Sequence, residues 1–138
     1  MLKANILILC AMLLVSCGGG TWEDNAGNWS RAFNGQALPE NVVVTHSKYV
    51  RSPHFTYEAD YYFELKAPQT FLDAWLVGCV AESPSNLNLG SIRGRPSWFL
   101  PKPLENYDMW IVEAKPYSNF RLFRDKETGV IFAKDSEG

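Results

Sequence analysis

Between positions 55 and 66 apolar and polar residues alternate almost without a break. Phe55, Tyr57, Ala59, Tyr61, Phe63 and Leu65 fall on one side; Thr56, Glu58, Asp60, Tyr62, Glu64 and Lys66 fall on the other. A period of two residues is that of a pleated strand buried on one face. Upstream, Val42, Val44, His46 and Val50 share the apolar phase, and Arg51-Ser52-Pro53-His54 separates the two runs as a hairpin turn. Because a slip of one residue would turn every side chain to the wrong side, matching the faces predicts a register. It pairs Val50 with Phe55, His46 with Ala59, Val44 with Tyr61 and Val42 with Phe63. His46 then lies inward opposite a small residue, while Tyr49 and Tyr62 stand on the outer face.

After Pro68 the period changes. Thr70 and Asp73 have capping-box spacing, and Phe71, Leu72, Trp75, Leu76, Cys79 and Val80 form the apolar stripe of a helix that frays around Ala81. From 82 to 97 no period is sustained, which predicts a long loop ending in Arg93-Gly94-Arg95-Pro96. Trp98, Phe99 and Leu100 follow it and require a core or a partner. Tyr107 to Glu113, Phe120 to Arg124 and Val130 to Lys134 read as strands, the last two joined by a turn in which Gly129 takes a positive φ. Near the front, Trp29 and Phe33 lie one helical turn apart in a short amphipathic stretch from Trp22 to Phe33, closed by Asn34-Gly35. The predicted fold class is α+β: an antiparallel sheet (β-β-α-β-β-β) over 41–138, with one helix packed on a face. Asp135 to Gly138 is polar and expected to fray.

The first sixteen positions follow a different logic. Lys3 and the terminal amine precede an apolar run from Ile6 to Val15, the build of a secretory signal peptide. As a helix this run spans about 15 Å, half of the roughly 30 Å hydrocarbon core of a bilayer. At its end, Leu14-Val15-Ser16-Cys17 resembles the lipobox of bacterial lipoproteins. The resemblance implies diacylation of the Cys17 thiol, cleavage before it and acylation of the new amino group. Several acyl chains anchor a protein stably where one anchors it marginally. With Gly18 rather than aspartate after the cysteine, the resemblance favours the periplasmic face of the outer membrane in a Gram-negative host. The chain then divides into a signal peptide over 1–16, an acylated cysteine, tether (Gly18 to Thr21) and short helix over 17–40, and one domain over 41–138. Arg51 to Phe55 with Tyr61-Tyr62-Phe63, and Phe120 to Phe132 with its D-x-x-T-G turn, also resemble small bacterial lipoproteins, a likeness that carries no activity with it.

Length and charge narrow the function. The chain has 138 residues, with 13 Lys and Arg against 15 Asp and Glu for a net charge of −2. This suits one modest domain and removes nucleic acid as a leading partner. Of the three cysteines, Cys10 leaves with the signal and Cys17 takes the lipid. Cys79 therefore has no intramolecular partner and is expected as a small buried hydrophobe.

Candidate chemistry is sparse. His46 and His54 lack the neighbouring Cys or carboxylate spacing of a zinc site. There is no G-x-S-x-G, no H-E-x-x-H and no glycine-rich phosphate loop, so no catalytic residue, metal or cofactor is assigned. Glu58, Asp60 and Glu64 read as the solvated face of a strand. The guanidinium forks of Arg93 and Arg95 suit a phosphate or an anionic headgroup. Five Trp, six Tyr and eight Phe exceed what one small core readily hides, and Trp, Tyr and Arg are the usual anchors of interfaces. Tyr49, Tyr62, Arg93, Arg95, Trp98 and Phe99 are therefore the partner-binding candidates. The expected function is a lipid-anchored, periplasm-facing, non-catalytic lipoprotein that binds another cell-envelope protein. The alternatives are an immunity-type or exclusion lipoprotein that neutralises a toxin or phage factor, and a small ligand-binding or hydrolytic domain with its cavity around His46.

Overall fold

A computed structural model describes residues 18–53, 58–115 and 118–137. The lipobox, His54, Phe55 and Tyr57 lie outside the described residues. Seven antiparallel strands form one open sheet in the order β1-β2-β3-β7-β6-β5-β4. They are β1 (Gly20–Glu23), β2 (Val43–Arg51), β3 (Ala59–Lys66), β4 (Cys79–Glu82), β5 (Tyr107–Val112), β6 (Arg121–Asp125) and β7 (Ile131–Glu137). Two short helices, α1 (Asn28–Ala32) and α2 (Gln69–Trp75), accompany them. The topology is two meanders, β1 to β3 and β4 to β7, joined where β3 pairs with β7. No helix among the described residues is long and apolar enough to cross a membrane.

The antiparallel sheet matches the expectation, but its strand order includes two strands that the pattern missed. β1 pairs with β2 from Gly20↔Arg51 to Glu23↔Lys48, so Gly20 and Thr21, expected in the tether, are strand residues. Asn28, wholly buried, fixes α1 to this edge by donating to the Trp22 carbonyl (2.9 Å) and to the Ser47 hydroxyl (3.0 Å). β4 comprises residues expected to continue the second helix. That helix ends at Trp75 because Gly78 turns the chain through φ +79°, a conformation that costs glycine little. Cys79 is half-buried in β4 and its thiol donates to the Trp75 carbonyl (3.8 Å). The helix also begins without the expected box: Pro68 precedes it and no side chain caps it.

The β2–β3 register corrects the predicted one. Arg51 pairs with Ala59, Tyr49 with Tyr61, Ser47 with Phe63 and Val44 with Leu65. The break between Val44 and His46 is a bulge at Thr45. One extra residue reverses the phase of everything beyond it. Val44 keeps its inward place, but Ser47 and Tyr49 replace His46 and Val50. Gly129 takes the expected positive φ, +72°. The polar C-terminus, expected to fray, completes β7 instead, since Asp60 pairs with Ser136 and Ala59 with Glu137.

Both faces of the sheet are covered. On one, Tyr49, Ala59, Tyr61, Phe63, Leu65, Leu122 and Ile131 pack against Trp29, Phe33, Leu72 and Trp75 of the helical segments. On the other, Tyr62, Tyr107, Met109, Phe123 and Phe132 pack beneath Leu87, Leu89, Ile92, Trp98, Phe99 and Leu100. The aperiodic 82–97 stretch is thus a folded cover, with 3-10 turns at Pro84–Asn86 and Leu89–Ser91.

Candidate functional site

The cover is pinned to the sheet by polar contacts at its C-terminal end. Tyr62 donates its hydroxyl proton to the Arg93 carbonyl (2.9 Å) and Lys48 donates to the Gly94 carbonyl (3.1 Å). The Trp98 ring stacks on His46 with centroids 5.3 Å apart. Arg95 donates to the Phe99 carbonyl (2.9 Å). Leu100, buried, is held at φ +53°, strain that persists only where packing over-determines the backbone.

Beneath this pinned segment lies a cavity of about 270 Å³ lined by Asp60, Tyr62, Ile92, Arg93, Arg121 and Lys134, among others. Its floor follows from the register. Tyr62 on β3 sits opposite Lys134 on β7, and Lys134 sits opposite Arg121 on β6, so these three side chains form one row across the sheet. Asp60 and Ser136 form the next row, and Arg93 of the cover joins the lining. Arg121 donates to the Ser118 and Phe120 carbonyls. Lys134 is only 9 % exposed. Among the described residues, neither its ammonium nor the Arg93 guanidinium has a hydrogen bond or an ion pair, and since no buried side-chain nitrogen is left without a partner, the Lys134 ammonium reaches solvent in the cavity.

The electrostatics express that burial. Desolvation holds the Lys134 ammonium below the usual lysine range; Asp60 and Asp135 work against this and Arg121 reinforces it. Burial pushes the Tyr62 phenol up to about 12; Asp60 adds to the effect and Arg95 opposes it. A cavity walled by three cations and one carboxylate, with two of the cations unpaired, presents N–H donors to an anion.

The other concave regions differ. One of about 500 Å³ runs past Gln69, Asp108, Arg124 and Asp125, where charges are already matched: Arg124 pairs with Asp108 (2.9 Å) and Lys102 with Asp125 (2.8 Å). Another, of about 440 Å³, is lined by Trp29, Leu38, Val42, Val44, His46 and Phe63, among others. There Asp24 accepts from the Ser47 amide (2.9 Å) and lies 3.3 Å from His46 Nδ1. That links the end of β1 to β2.

The six partner-binding candidates separate. Tyr49, Tyr62 and Phe99 are interior residues at 3 %, 1 % and 0 % exposure, which corrects the expected outward placement of the two tyrosines. The outer face on which they were placed is the second covered face for Tyr62, while the bulge sends Tyr49 inward under the helices. Arg93 and Arg95 are exposed, and Trp98 is half-buried. Cys17 lies outside the described residues. Lys134 and Arg121 were missed; the available signal was a lysine at the in-phase position after Val130 and Phe132, where a core strand should carry an apolar residue. Among the described residues no three His, Cys, Asp or Glu side chains come together as metal ligands. No protein-family model, no curated protein and no solved structure matches the chain.

Proposed function

We propose that this chain is a lipid-anchored, non-catalytic binding domain of the cell envelope, held at the periplasmic face of the outer membrane through Cys17, that engages another envelope protein. The observation that carries the binding half of this reading is the 93–98 rim. Arg93 and Arg95 are exposed and Trp98 is half-exposed, while Phe99 and Leu100 next to them are locked into the sheet. A rigid display of Arg and Trp on a packed platform lowers the ordering cost of association. The lipobox resemblance supports the anchoring half. An anchor also raises the local concentration of the domain at the membrane.

Two experiments address the halves separately. Metabolic labelling with an alkyne fatty acid should mark the parent and leave Cys17→Ser unmarked and released from the membrane fraction; equal labelling of both removes the anchor. Photocrosslinking in intact cells, with the probe at Ser97, should capture an envelope protein that is lost when Arg95 and Trp98 are both replaced by alanine. Capture of the same protein at equal yield would remove the rim from the interface.

A further inference from the structure

We infer that the cavity between β3, β7, β6 and the 87–93 cover is a binding site for a phosphate-type oxyanion, either a small phosphorylated solute or a phospholipid headgroup. Arg93, Arg121 and Lys134 would hold the oxygens, and the Tyr62 and Asp60 edge would meet the rest of the ligand.

Three observations converge on this reading. A lysine that is 9 % exposed has no hydrogen bond or ion pair among the described residues, so its ammonium is left facing the solvent of the cavity. A largely buried stem with its charged head open to a cavity is placed to donate to an anion there. The cation count also matches: Arg93, Arg121 and Lys134 against Asp60 leave an excess of two positive charges in the lining. A phosphate monoester carries about −1.5 to −2 near neutral pH, whereas a lone carboxylate would leave half of that excess unmet. Finally, Arg121 and Lys134 rise side by side from the floor and Arg93 comes from the cover, so an anion in the cavity would be met from both sides. A volume of about 270 Å³ holds a phosphate with a small substituent and is tight for a drug-sized molecule, which takes roughly 300 Å³ or more.

The two sources of phosphate are both reachable. Part of the lining lies near the end of the sheet where the chain enters, since Asp60 and Ser136 stand one row in from Gly20, Arg51, Ala59 and Glu137. Gly19 is packed there against the Pro53 backbone, with no room for a Cβ. From Cys17 to Gly20 the chain spans at most about 11 Å, and from β1 to β7 the sheet spans about 14 Å. An anchored domain therefore keeps this edge of the lining close to headgroups. Only the lipid source rests on the anchoring reading; the oxyanion site does not.

The test uses the full chain in nonionic detergent. Inorganic phosphate, titrated against chloride at constant ionic strength, should raise the unfolding temperature saturably. Arg93→Gln should weaken that response about tenfold, the equivalent of one charge-assisted contact. Lys134→Met should abolish it, and Lys66→Gln, an exposed cation at the far end of β3, should leave it intact. In a second arm, micelles doped with phosphatidic acid are compared with micelles doped with phosphatidylcholine. Preferential binding to phosphatidic acid that needs Lys134, with no response to inorganic phosphate, supports the site and identifies a headgroup; response to inorganic phosphate supports it with a solute as sufficient ligand. If phosphate acts no differently from chloride and phosphatidic acid binds parent, Arg93→Gln and Lys134→Met alike, the site is overturned. Because Arg93 is exposed, its variant reports even where Lys134→Met folds poorly. Failure of acyl labelling at Cys17 would remove the anchor and leave the phosphate titration as it stands.

Discussion

The two faces of the sheet are covered by opposite means. Under α1 and α2 the chain places rings against rings: Trp29 stacks on Trp75 with centroids 5.9 Å apart, and Phe63 meets Trp29, Phe33 and Tyr61 within 5.8 Å. Under the 87–100 segment the rings are as closely set, with Phe99 edge-on to Tyr62, Phe123 and Phe132, but the cover has little regular structure of its own. The contrast teaches that periodic secondary structure is one way to close a face and not a requirement for it. What the second face demands is enough buried apolar area, plus partners for the polar backbone that an irregular cover brings with it. Tyr62, Lys48 and Arg95 supply such partners.

The largest expected effect breaks the helical face. Phe63→Ala empties a site with 0 % exposure on β3, an interior strand of the sheet, and should cost about 4 kcal/mol. That is close to the whole stability of a marginal domain, and urea denaturation should detect it as a large fall in midpoint. Phe99→Ala tests whether the irregular cover is equal in kind. It also removes a fully buried ring, and the expected loss is about 3 kcal/mol. It differs from the first in locality: limited proteolysis should nick the 87–98 segment in Phe99→Ala well before global unfolding, and should not do so in Phe63→Ala. A loss under about 1 kcal/mol would mean that the cover contributes little to the core.

A second contrast runs along the loop-covered face itself. At the β6–β7 turn the buried Asp125 is fully matched. One carboxylate oxygen accepts from the Glu127 and Thr128 amides (2.8 and 3.1 Å), and the other lies 2.8 Å from Lys102 Nζ. Burial alone would push this carboxyl up, but the Lys102 ammonium and the two amides hold it below its ordinary value of 3.8. A depressed carboxyl contributes stability that is present above its unfolded-state value and is lost as pH falls through its folded-state value. Asp125→Asn should therefore cost about 2 kcal/mol at neutral pH. The gap between parent and variant should close in acid, below the ordinary carboxylate range. A gap that stays constant with pH would show that shape at the turn matters and the charge does not.

How much of this was legible in the sequence follows from where the information sits. The strand over 59–65 and the Gly129 turn are local, and both appear; the side of the strand read as solvated is instead covered, with Tyr62 at 1 % exposure and Asp60 and Glu64 half-buried. The phase of β2 is not local: Thr45 looks like any strand residue, and only pairing with β3 reveals that it bulges. β4 was hidden because Cys79 and Val80 continue the helical stripe of Phe71, Leu72, Trp75 and Leu76, and Gly78 alone signalled the break. The cover was aperiodic and read as a loop because its apolar residues answer to the spacing of the sheet beneath and not to a period of their own. The cavity was least legible. Asp60, Arg121 and Lys134 are brought together by the pairing of β3 with β7 and of β7 with β6, and Arg93 by the cover; β3 and β7 are far apart in sequence, and no local pattern states that they pair.

The smallest expected effect has the opposite sign to the others and sharpens the contrast between the two ends of this face. Where Asp125 is matched, Lys134 is not. Tyr62 stands across from it on β3 and Arg121 on β6; burial outweighs the carboxylates of Asp60, one row along, and Asp135, next in the chain, to hold its ammonium below the usual value of 10.5. In the pH range between the folded and unfolded values the native state binds fewer protons than the unfolded chain. Stability therefore rises with pH across that window and is poorest below it. A methionine has nearly the same length, fills the same space and carries no charge to desolvate. Lys134→Met should thus stabilise the ligand-free protein by about 1 kcal/mol at neutral pH, raising the unfolding temperature by several degrees. Its advantage should shrink as the pH approaches 10.5, where the parent lysine folds neutral. A buried charge whose removal strengthens the fold is retained for a reason other than folding. Destabilisation by the same substitution at every pH would instead make Lys134 part of the frame.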